Sequence, residues 1–352
     1  MRDSPRSVLP RGASAHPVVR HLLPGFARAA PALLAAALLP AASAADDGWA
    51  VAVEAVQLEL AGHDRHVLTD RATDAAGAAS ESTLDLETES ALGYRAEIRY
   101  GRGRWSYGLD FLIHRTSQDA GPRIGAATAG GSRTFLVGGG QVVSDDPAER
   151  LYYERLEDTT VELWTLDLYA SRALASGPRG ELRWLVGLKT ADFDNDYRAV
   201  AGIEETGGLR LDAASNYDRM HGPLVGLAGD RERGRHRFTG FLGQSVVTGD
   251  VELSSQAREF VGPPSREVDA PIAEISSTRF RTTKSETIPI TELRLAWRIR
   301  LGGRFAVGLG AFASRWWDVS VPPGVVAGAA LDTLDESTIE LYGLAASLSV
   351  DL

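Results

Sequence analysis

Apolar residues recur at every second position through most of this sequence, and this period constrains the fold more than any other feature. Between Arg104 and Arg115 apolar side chains alternate with polar or small ones, and the same alternation runs from Glu292 to Leu301. A β-strand places successive side chains on opposite faces, so each segment predicts a strand with one apolar face. The chain is therefore predicted to be all-β.

Short and long connections alternate between the predicted strands. The short ones are 101–103, 175–180, 231–234 and 302–303, and the long polar ones are 61–88, 116–158, 194–216, 250–287 and 318–337. Short periplasmic turns opposite long external loops are typical of outer-membrane barrels. A soluble sandwich also alternates, but it rarely keeps five long connections at one end.

About ten strands account for the pattern, and eight to twelve are compatible with it. They lie near 48–60, 90–100, 104–115, 160–173, 181–193, 217–230, 235–248, 288–301, 304–317 and 338–352. Each covers the roughly 9–11 residues that a tilted membrane strand needs. We predict a transmembrane antiparallel up-and-down β-barrel, closed by the last strand against the first. Thr134 to Val143 is predicted to be a hairpin that projects from its loop.

Aromatic residues gather near the predicted strand ends. They are Tyr100, Trp105 and Trp184 near short turns, and Trp164, Trp316 and Trp317 toward long loops. This distribution predicts aromatic girdles at both membrane interfaces, although aromatics of a soluble core would also fit.

The N-terminus has the parts of a secretory signal. Five arginines precede an apolar run from Ala29 to Leu39, and Ala42-Ser43-Ala44 follows. The run is shorter than the roughly 20 residues of a membrane helix, so we predict a signal peptide rather than an anchor. The signal peptide would span 1–44 and be cleaved after Ala44, which leaves one outer-membrane barrel domain over 45–352.

Composition excludes several classes of function. The chain has no cysteine, so disulfides, thiolate metal sites and cysteine nucleophiles are impossible. Five of the 37 basic and one of the 47 acidic residues lie within 1–44, so the remainder carries a net charge of about −14. That charge argues against nucleic acid as a partner.

Charged residues on the inward faces of the predicted strands are the lumen-lining candidates. They are Arg95, Glu97, Arg99, Asp110, His114, Asp167, Arg183, Lys189, Glu292, Arg294, Arg298 and Arg300. They predict either a charged channel or a lumen filled by ion pairs, because buried charges need partners. Near 90–100 and 288–301 the basic groups outnumber the acidic ones, so a continuous water path would favour anions.

Catalytic and metal sites are weakly indicated. Asp110 and His114 share one inward face, as a carboxylate and a general base would, and Asp192 and Asp194 form an acidic pair near the mouth. Neither belongs to a complete catalytic constellation. Two histidines and an aspartate in 63–66 are more typical of a solvated loop than of a metal site. We assign no catalytic, cofactor-binding or metal residues and no cofactor.

Four segments resemble the Legionella-type pore-forming major outer-membrane protein family. They are Trp164 to Tyr169 (WTLDLY), Gly187 to Asp194 (GLKTADFD), Gly222 to Gly229 (GPLVGLAG) and Leu341 to Leu352. The resemblance implies a pore or surface role. The family's cysteines are absent here, so a disulfide-linked assembly does not carry over. The last strand also resembles the C-terminal assembly signal of outer-membrane proteins, but it ends in Leu352 where that signal usually has an aromatic residue.

The sequence thus predicts a non-enzymatic, porin-like or structural outer-membrane barrel that passes small ions or solutes by passive diffusion. Outer-membrane lipid, lipopolysaccharide and the barrel-assembly machinery are the expected partners, and the oligomeric state stays open. Two other functions remain: an outer-membrane hydrolase that uses lumen or mouth carboxylates, and a surface adhesin that acts through its long loops. A sealed lumen would favour the adhesin.

Overall fold

The computed structural model describes residues 47–61, 66–85, 90–120, 123–137, 140–203, 206–261, 273–302, 304–320, 325–326, 329–330 and 336–352. The predicted signal peptide and residues 62–65 of the candidate metal loop lie outside them. The strands are β1 (Asp47–Ala61), β2 (His66–Thr73), β3 (Ala79–Asp85), β4 (Ala91–Arg102), β5 (Trp105–Ala120), β6 (Arg123–Ala126), β7 (Ser132–Val137), β8 (Gly140–Ser144), β9 (Arg150–Gly177), β10 (Gly180–Ile203), β11 (Gly207–Arg233), β12 (His236–Val261), β13 (Ala273–Gly302), β14 (Phe305–Ser320), β15 (Val325–Val326), β16 (Ala329–Ala330) and β17 (Glu336–Asp351).

Ten of these strands form a closed antiparallel barrel, which confirms the predicted fold class. Their order is β10-β11-β12-β13-β14-β17-β1-β4-β5-β9, and β9 pairs with β10 to complete the ring. The first and last strands meet in one long ladder, from Ala50 opposite Asp351 to Ala61 opposite Glu340. At the short-turn end, Gly103 and Gly234 take positive φ values that a tight hairpin turn requires.

An apolar belt encircles the outside of the barrel. Large apolar side chains point outward and stay exposed, for example Leu295 (54%), Leu309 (62%) and Leu344 (73%). Each square ångström of apolar surface left in water costs about 25 cal/mol, so a continuous belt of this kind needs apolar surroundings. The part of the chain that the structure describes contains no helix long and apolar enough to cross a membrane.

Aromatic side chains border the belt at both ends. At the short-turn end Trp49 pairs with Tyr100 and Trp105 with Trp184, with ring centroids 4.9 and 6.0 Å apart. At the opposite end the Tyr342 hydroxyl donates to Glu59 Oε1 over 2.7 Å. Rings with one apolar and one wet side are typical of membrane interfaces.

Trp316 corrects the predicted girdle. Neighbouring residues of a strand point to opposite faces, so only one of Trp316 and Trp317 can face outward. Trp317 stacks under Arg315, whose guanidinium carbon lies 3.7 Å from the ring centroid. Trp316 is 1% exposed and lies inside the barrel, 6.2 Å from the ring of Phe193.

Five adjacent strands, β9 to β13, rise far beyond the belt on one side of the barrel. They contain 24–30 residues each, whereas the other five barrel strands contain 12–16. We call their part beyond the belt, near 150–162, 192–203, 206–222, 247–261 and 273–290, the wall. Much of the predicted loops 116–158, 194–216 and 250–287 is therefore strand. The strands continue because alternation continues, with Leu209 and Leu211 inward and Arg210 and Asp212 outward.

A smaller sheet covers the inner face of the wall. Its strand order is β3-β2-β7-β8, and its β7–β8 pair confirms the hairpin predicted around 134–143. Phe135 and Val142 of this hairpin belong to one apolar cluster with Leu151, Leu209 and Leu211 of the wall. The wall thus has its own core, separate from the barrel interior beside the belt.

Candidate functional site

The lumen beside the belt holds a layer of buried ion pairs. The predicted lumen residues other than His114 lie there, with Arg183 and Arg300 toward the short-turn mouth. Glu54 and Tyr169 join them, and neither was among the predicted lumen residues. Glu54 could have been predicted, because it lies on the same inward face of β1 as Ala52 and Val56.

Arg95 is the centre of the first group of contacts. Its Nη1 lies 2.7 Å from Glu54 Oε2, and its Nε donates to Asp110 Oδ1 over 2.8 Å. Arg298 of β13, three strands away from β1 in the ring, reaches the same Glu54 over 3.1 Å. The Tyr169 hydroxyl donates to Glu97 Oε1 over 2.7 Å. These contacts cross-link β1, β4, β5, β9 and β13 through the lumen.

Lys189 is the centre of the second group. Its side chain is fully buried, and its Nζ lies 2.7 Å from Asp167 and 3.2 Å from Glu292. Arg294 contacts Asp110 and lies 3.8 Å from Asp167 and 3.9 Å from Glu292. Buried charges are stable only when paired in this way.

The buried charges of this layer are electrically balanced, and Arg183 and Arg300 nearer the mouth pair with Glu181 and Glu232, which removes the predicted basic excess. The cations are Arg95, Arg99, Lys189, Arg294 and Arg298, and the anions are Glu54, Glu97, Asp110, Asp167 and Glu292. The prediction compared β4 with β13 alone. Acids on β1, β5 and β9 point into the same layer and supply the missing negative charge.

An apolar layer closes the lumen on the wall side of these ion pairs. We call it the plug, and its larger members are Leu112, Leu163, Phe193, Tyr217, Ile288, Ile290, Phe312 and Trp316. These side chains are 0–6% exposed, so water does not reach them. Phe193 packs with Tyr217 at a centroid distance of 5.8 Å. In the described residues, the plug therefore separates the short-turn side of the lumen from the wall side.

A polar cluster fixes the upper edge of the plug. The Tyr217 hydroxyl lies 3.0 Å from Glu286 Oε2 and 2.7 Å from the carbonyl oxygen of Ser320, and its single hydrogen can be donated to either acceptor. The Ser320 hydroxyl also donates to Glu286, and Lys284 Nζ lies 2.6 Å from Glu286 Oε1. Burial, together with the neighbouring Glu286, raises the pKa of Tyr217 above its ordinary value. The cluster holds β11, β13 and β14 together where β14 leaves β13.

A cavity of about 110 Å³ lies below the plug, on the short-turn side. Charged groups of the ion-pair layer line it on one side, and small residues such as Gly240, Gly310 and Ala296 line it elsewhere. A smaller space of about 30 Å³ shares Glu97 and Arg99 with it and lies nearer the short-turn mouth. The lumen therefore has a blind vestibule.

The candidate hydrolase residues do not form a catalytic pair. His114 is 1% exposed, and in the described structure neither ring nitrogen has a hydrogen-bond partner. Asp110 on the same face is bound by Arg95 and Arg294 instead. The described residues contain no group of histidine and carboxylate side chains that could hold a metal ion.

Asp192 and Asp194 point away from the lumen, because Phe193 between them points into the plug. Asp192 Oδ2 accepts a hydrogen bond from the Trp164 indole nitrogen over 3.0 Å, on the outer surface just beyond the belt. Burial and the nearby acids Asp192 and Asp196 raise the pKa of Asp194 to about 7. The predicted mouth pair therefore belongs to a group of acids on the outer surface, together with Asp196.

No family model and no curated protein matches this chain. Among solved structures it is similar to the outer membrane protease OmpT of Escherichia coli, with 14% identity, 89% of this chain and 99% of that chain covered, and a TM-score of 0.48. It is also similar to the Pseudomonas putida toluene transporter TodX, with 9% identity, 88% and 90% coverage, and a TM-score of 0.29. A Pseudomonas aeruginosa FadL homologue gives 10% identity, 87% and 90% coverage, and a TM-score of 0.21. The barrel assignment follows from the closed strand pairing alone.

Proposed function

We propose that this chain is an outer-membrane barrel that is closed to passive diffusion and presents its wall at the cell surface as a binding structure. The filled lumen is the observation that carries this proposal. A diffusion pore needs a continuous water path, whereas here ion pairs and the plug occupy the cross-section in succession. A ten-stranded barrel is narrow enough to be filled by side chains in this way.

The belt supports the membrane location. It spans about nine residues per strand, the length that a tilted strand needs to cross a bilayer, and aromatic residues border it at both ends. Short turns face the periplasm in such barrels, so the wall would stand on the outer side. Lipid and lipopolysaccharide would then surround the belt, and the barrel-assembly machinery would engage β17.

Planar-bilayer recording tests the closed lumen. We expect refolded wild-type protein to give no discrete conductance steps, because water does not enter the plug. Replacing Phe193 and Trp316 with alanine should produce discrete conductance steps, because removal of the two rings leaves an opening at the centre of the plug. Replacing exposed Trp49 with alanine is the matched control and should change nothing. Regular steps from the wild type would contradict the proposal.

The vestibule favours a second candidate, a gated channel. Its cavity already extends the water path from the short-turn mouth to the ion-pair layer, and the resemblance to the Legionella-type family points in the same direction. In that case the recordings should show openings at elevated voltage in the wild type. Because the lumen charges are balanced, we expect no strong preference for anions.

Export is the remaining element of the proposal, and it makes a separate prediction. Envelope-fraction protein should have the intact mass of a chain that begins at Ala45, because signal peptidase recognises small residues at the third and first positions before the cut, here Ala42 and Ala44. Replacing Ala44 with a bulky residue should leave a longer precursor. Wild-type protein that retains 1–44 would contradict the export pathway but not the barrel fold.

A further inference from the structure

An arginine lies within the apolar outer surface of the barrel, at the short-turn border of the belt. Arg172 of β9 is exposed on the outer face, between Ala170 and the exposed Leu174 of the same strand. It lies directly opposite Trp105 of β5 on one side and Trp184 of β10 on the other. The three residues therefore form a row that runs straight across three adjacent strands.

Aromatic contacts hold Arg172 in place. The rings of Trp105 and Trp184 meet edge to face at a centroid distance of 6.0 Å, and the guanidinium carbon of Arg172 lies 5.6 Å from the centroid of the Trp105 ring. Guanidinium groups are attracted to the face of an indole ring at such distances. The contact orients the arginine, but it does not supply the negative charge that a cation at an apolar surface needs.

The part of the chain that the structure describes places no carboxylate beside Arg172. Both of its register partners are tryptophans, and no described acid forms an ion pair with it. Asp47 is the acid of this row, but it lies opposite Arg102, about 14 Å or three strand spacings from Arg172. Other acids near the short turns face the mouth of the lumen; they are Glu181, Asp230, Glu232 and Asp351. Arg172 therefore lacks a protein counterion in the described structure.

We propose that Arg172, Trp105 and Trp184 form a binding site for the phosphate of an anionic phospholipid in the periplasmic leaflet. The site rests on the proposed membrane location of the belt, whose short turns face the periplasm. A guanidinium group binds phosphate oxygens through two parallel hydrogen bonds, and indole rings favour the level of lipid headgroups. The phosphate supplies the counterion that the protein does not.

The surroundings of Arg172 favour a lipid over a soluble anion. Exposed Leu168 and Leu174 lie on either side of it along β9 and offer apolar surface to an acyl chain. They also favour an anionic headgroup over phosphatidylethanolamine, because the ammonium group of that lipid needs an acid that this part of the described outer face does not offer beside Arg172. Phosphatidylglycerol, which has no ammonium group, fits both conditions.

Native mass spectrometry of the refolded full chain tests the site. Protein in detergent is titrated with dioleoylphosphatidylglycerol or with the matching phosphatidylcholine, and the bound lipid molecules are counted. We expect wild-type protein to retain one phosphatidylglycerol molecule more tightly than phosphatidylcholine. Arg172→Gln should raise the Kd of that molecule about tenfold. Arg172→Lys should restore only part of the affinity, because an ammonium group cannot make two parallel hydrogen bonds.

Arg179→Gln is the matched control, because Arg179 is an exposed arginine in the turn between β9 and β10 and lies outside the row. It should leave the Kd unchanged. Glycerol 3-phosphate separates a lipid site from a general anion site and should not displace the lipid. Equal loss in the Arg179 variant, equal retention of phosphatidylethanolamine, or displacement by glycerol 3-phosphate would overturn the proposal.

Unfolding by urea in vesicles gives a second readout that does not depend on detergent. In phosphatidylcholine vesicles Arg172→Gln should be at least as stable as the wild type, because it removes a charge from a lipid-facing position. In phosphatidylglycerol vesicles the wild type should be the more stable, since it alone gains the bound lipid. The same order in both vesicles would contradict the site. If instead the belt does not lie in a membrane, no variant retains any lipid, and the closed lumen is tested separately by conductance.

Discussion

Replacing Lys189 with methionine should lower the free energy of unfolding by about 3–5 kcal/mol, the typical result of removing one partner of a buried ion pair. Lys189 Nζ lies between Asp167 and Glu292, at 2.7 and 3.2 Å. Without the ammonium group, two buried carboxylates face each other with only Arg294 nearby, at 3.8 and 3.9 Å. The measurement is reversible unfolding by urea in lipid vesicles or detergent.

A second substitution separates charge imbalance from lost packing. Adding Asp167→Asn to Lys189→Met leaves Glu292 beside Arg294 and restores the balance of the layer, so most of the lost stability should return. The matched control is Arg71→Met, which breaks an exposed pair and should change stability by less than about 1 kcal/mol. If Lys189→Met unfolds like the wild type, the ion-pair layer does not stabilise the barrel.

Replacing Leu295 with arginine should cost about 2–4 kcal/mol if the belt lies in a bilayer, because the guanidinium group would sit near the membrane midplane. Leu295 is 54% exposed on the outer face of β13. On a soluble protein the same change would be nearly neutral, since exposed positions tolerate charge. The experiment therefore tests whether the belt lies in lipid and whether the side chain of Leu295 points outward.

Thr283→Arg is the matched control for Leu295→Arg. Thr283 lies on the same strand and the same outer face, but it belongs to the wall and lies opposite Glu252. We expect this variant to fold into lipid vesicles with the yield and stability of the wild type. Equal stability of the Leu295 and Thr283 variants would exclude the membrane assignment of the belt.

The alternation of apolar and polar residues predicted the barrel because each strand shows it by itself, whichever strands it pairs with. The same signal continues into the wall, where inward Leu209 and Leu211 alternate with Arg210 and Asp212. We predicted loops there because polar side chains and small residues such as Ala213 and Ser215 dilute the apolar face. The length of the strands beyond the belt can therefore be predicted only when the inward and outward residues of each strand are considered as two separate series.

The contents of the lumen were predictable strand by strand, but their pairing was not. Arg298 and Glu54 are 244 positions apart and meet across the barrel interior. A strand's own alternation gives the inward face, while the partner across the lumen depends on closure and register of all ten strands. The Trp316–Trp317 error has a different cause, because adjacent residues of a strand face opposite sides and only one of the two could belong to a girdle.

The ladder between β1 and β17 places a requirement on the folding of this molecule. Ala50 pairs with Asp351, so the two strands that complete the ring lie at nearly opposite ends of the described chain. Until β17 has been delivered, β1 and β14 each present an open edge of hydrogen-bonding groups that invites mispairing. Contacts of such long sequence separation also form slowly, because the loop between them must be closed first. The ring therefore cannot be complete before β17 pairs with β1, and a chain that lacks this pairing has two edges that only other molecules can cover.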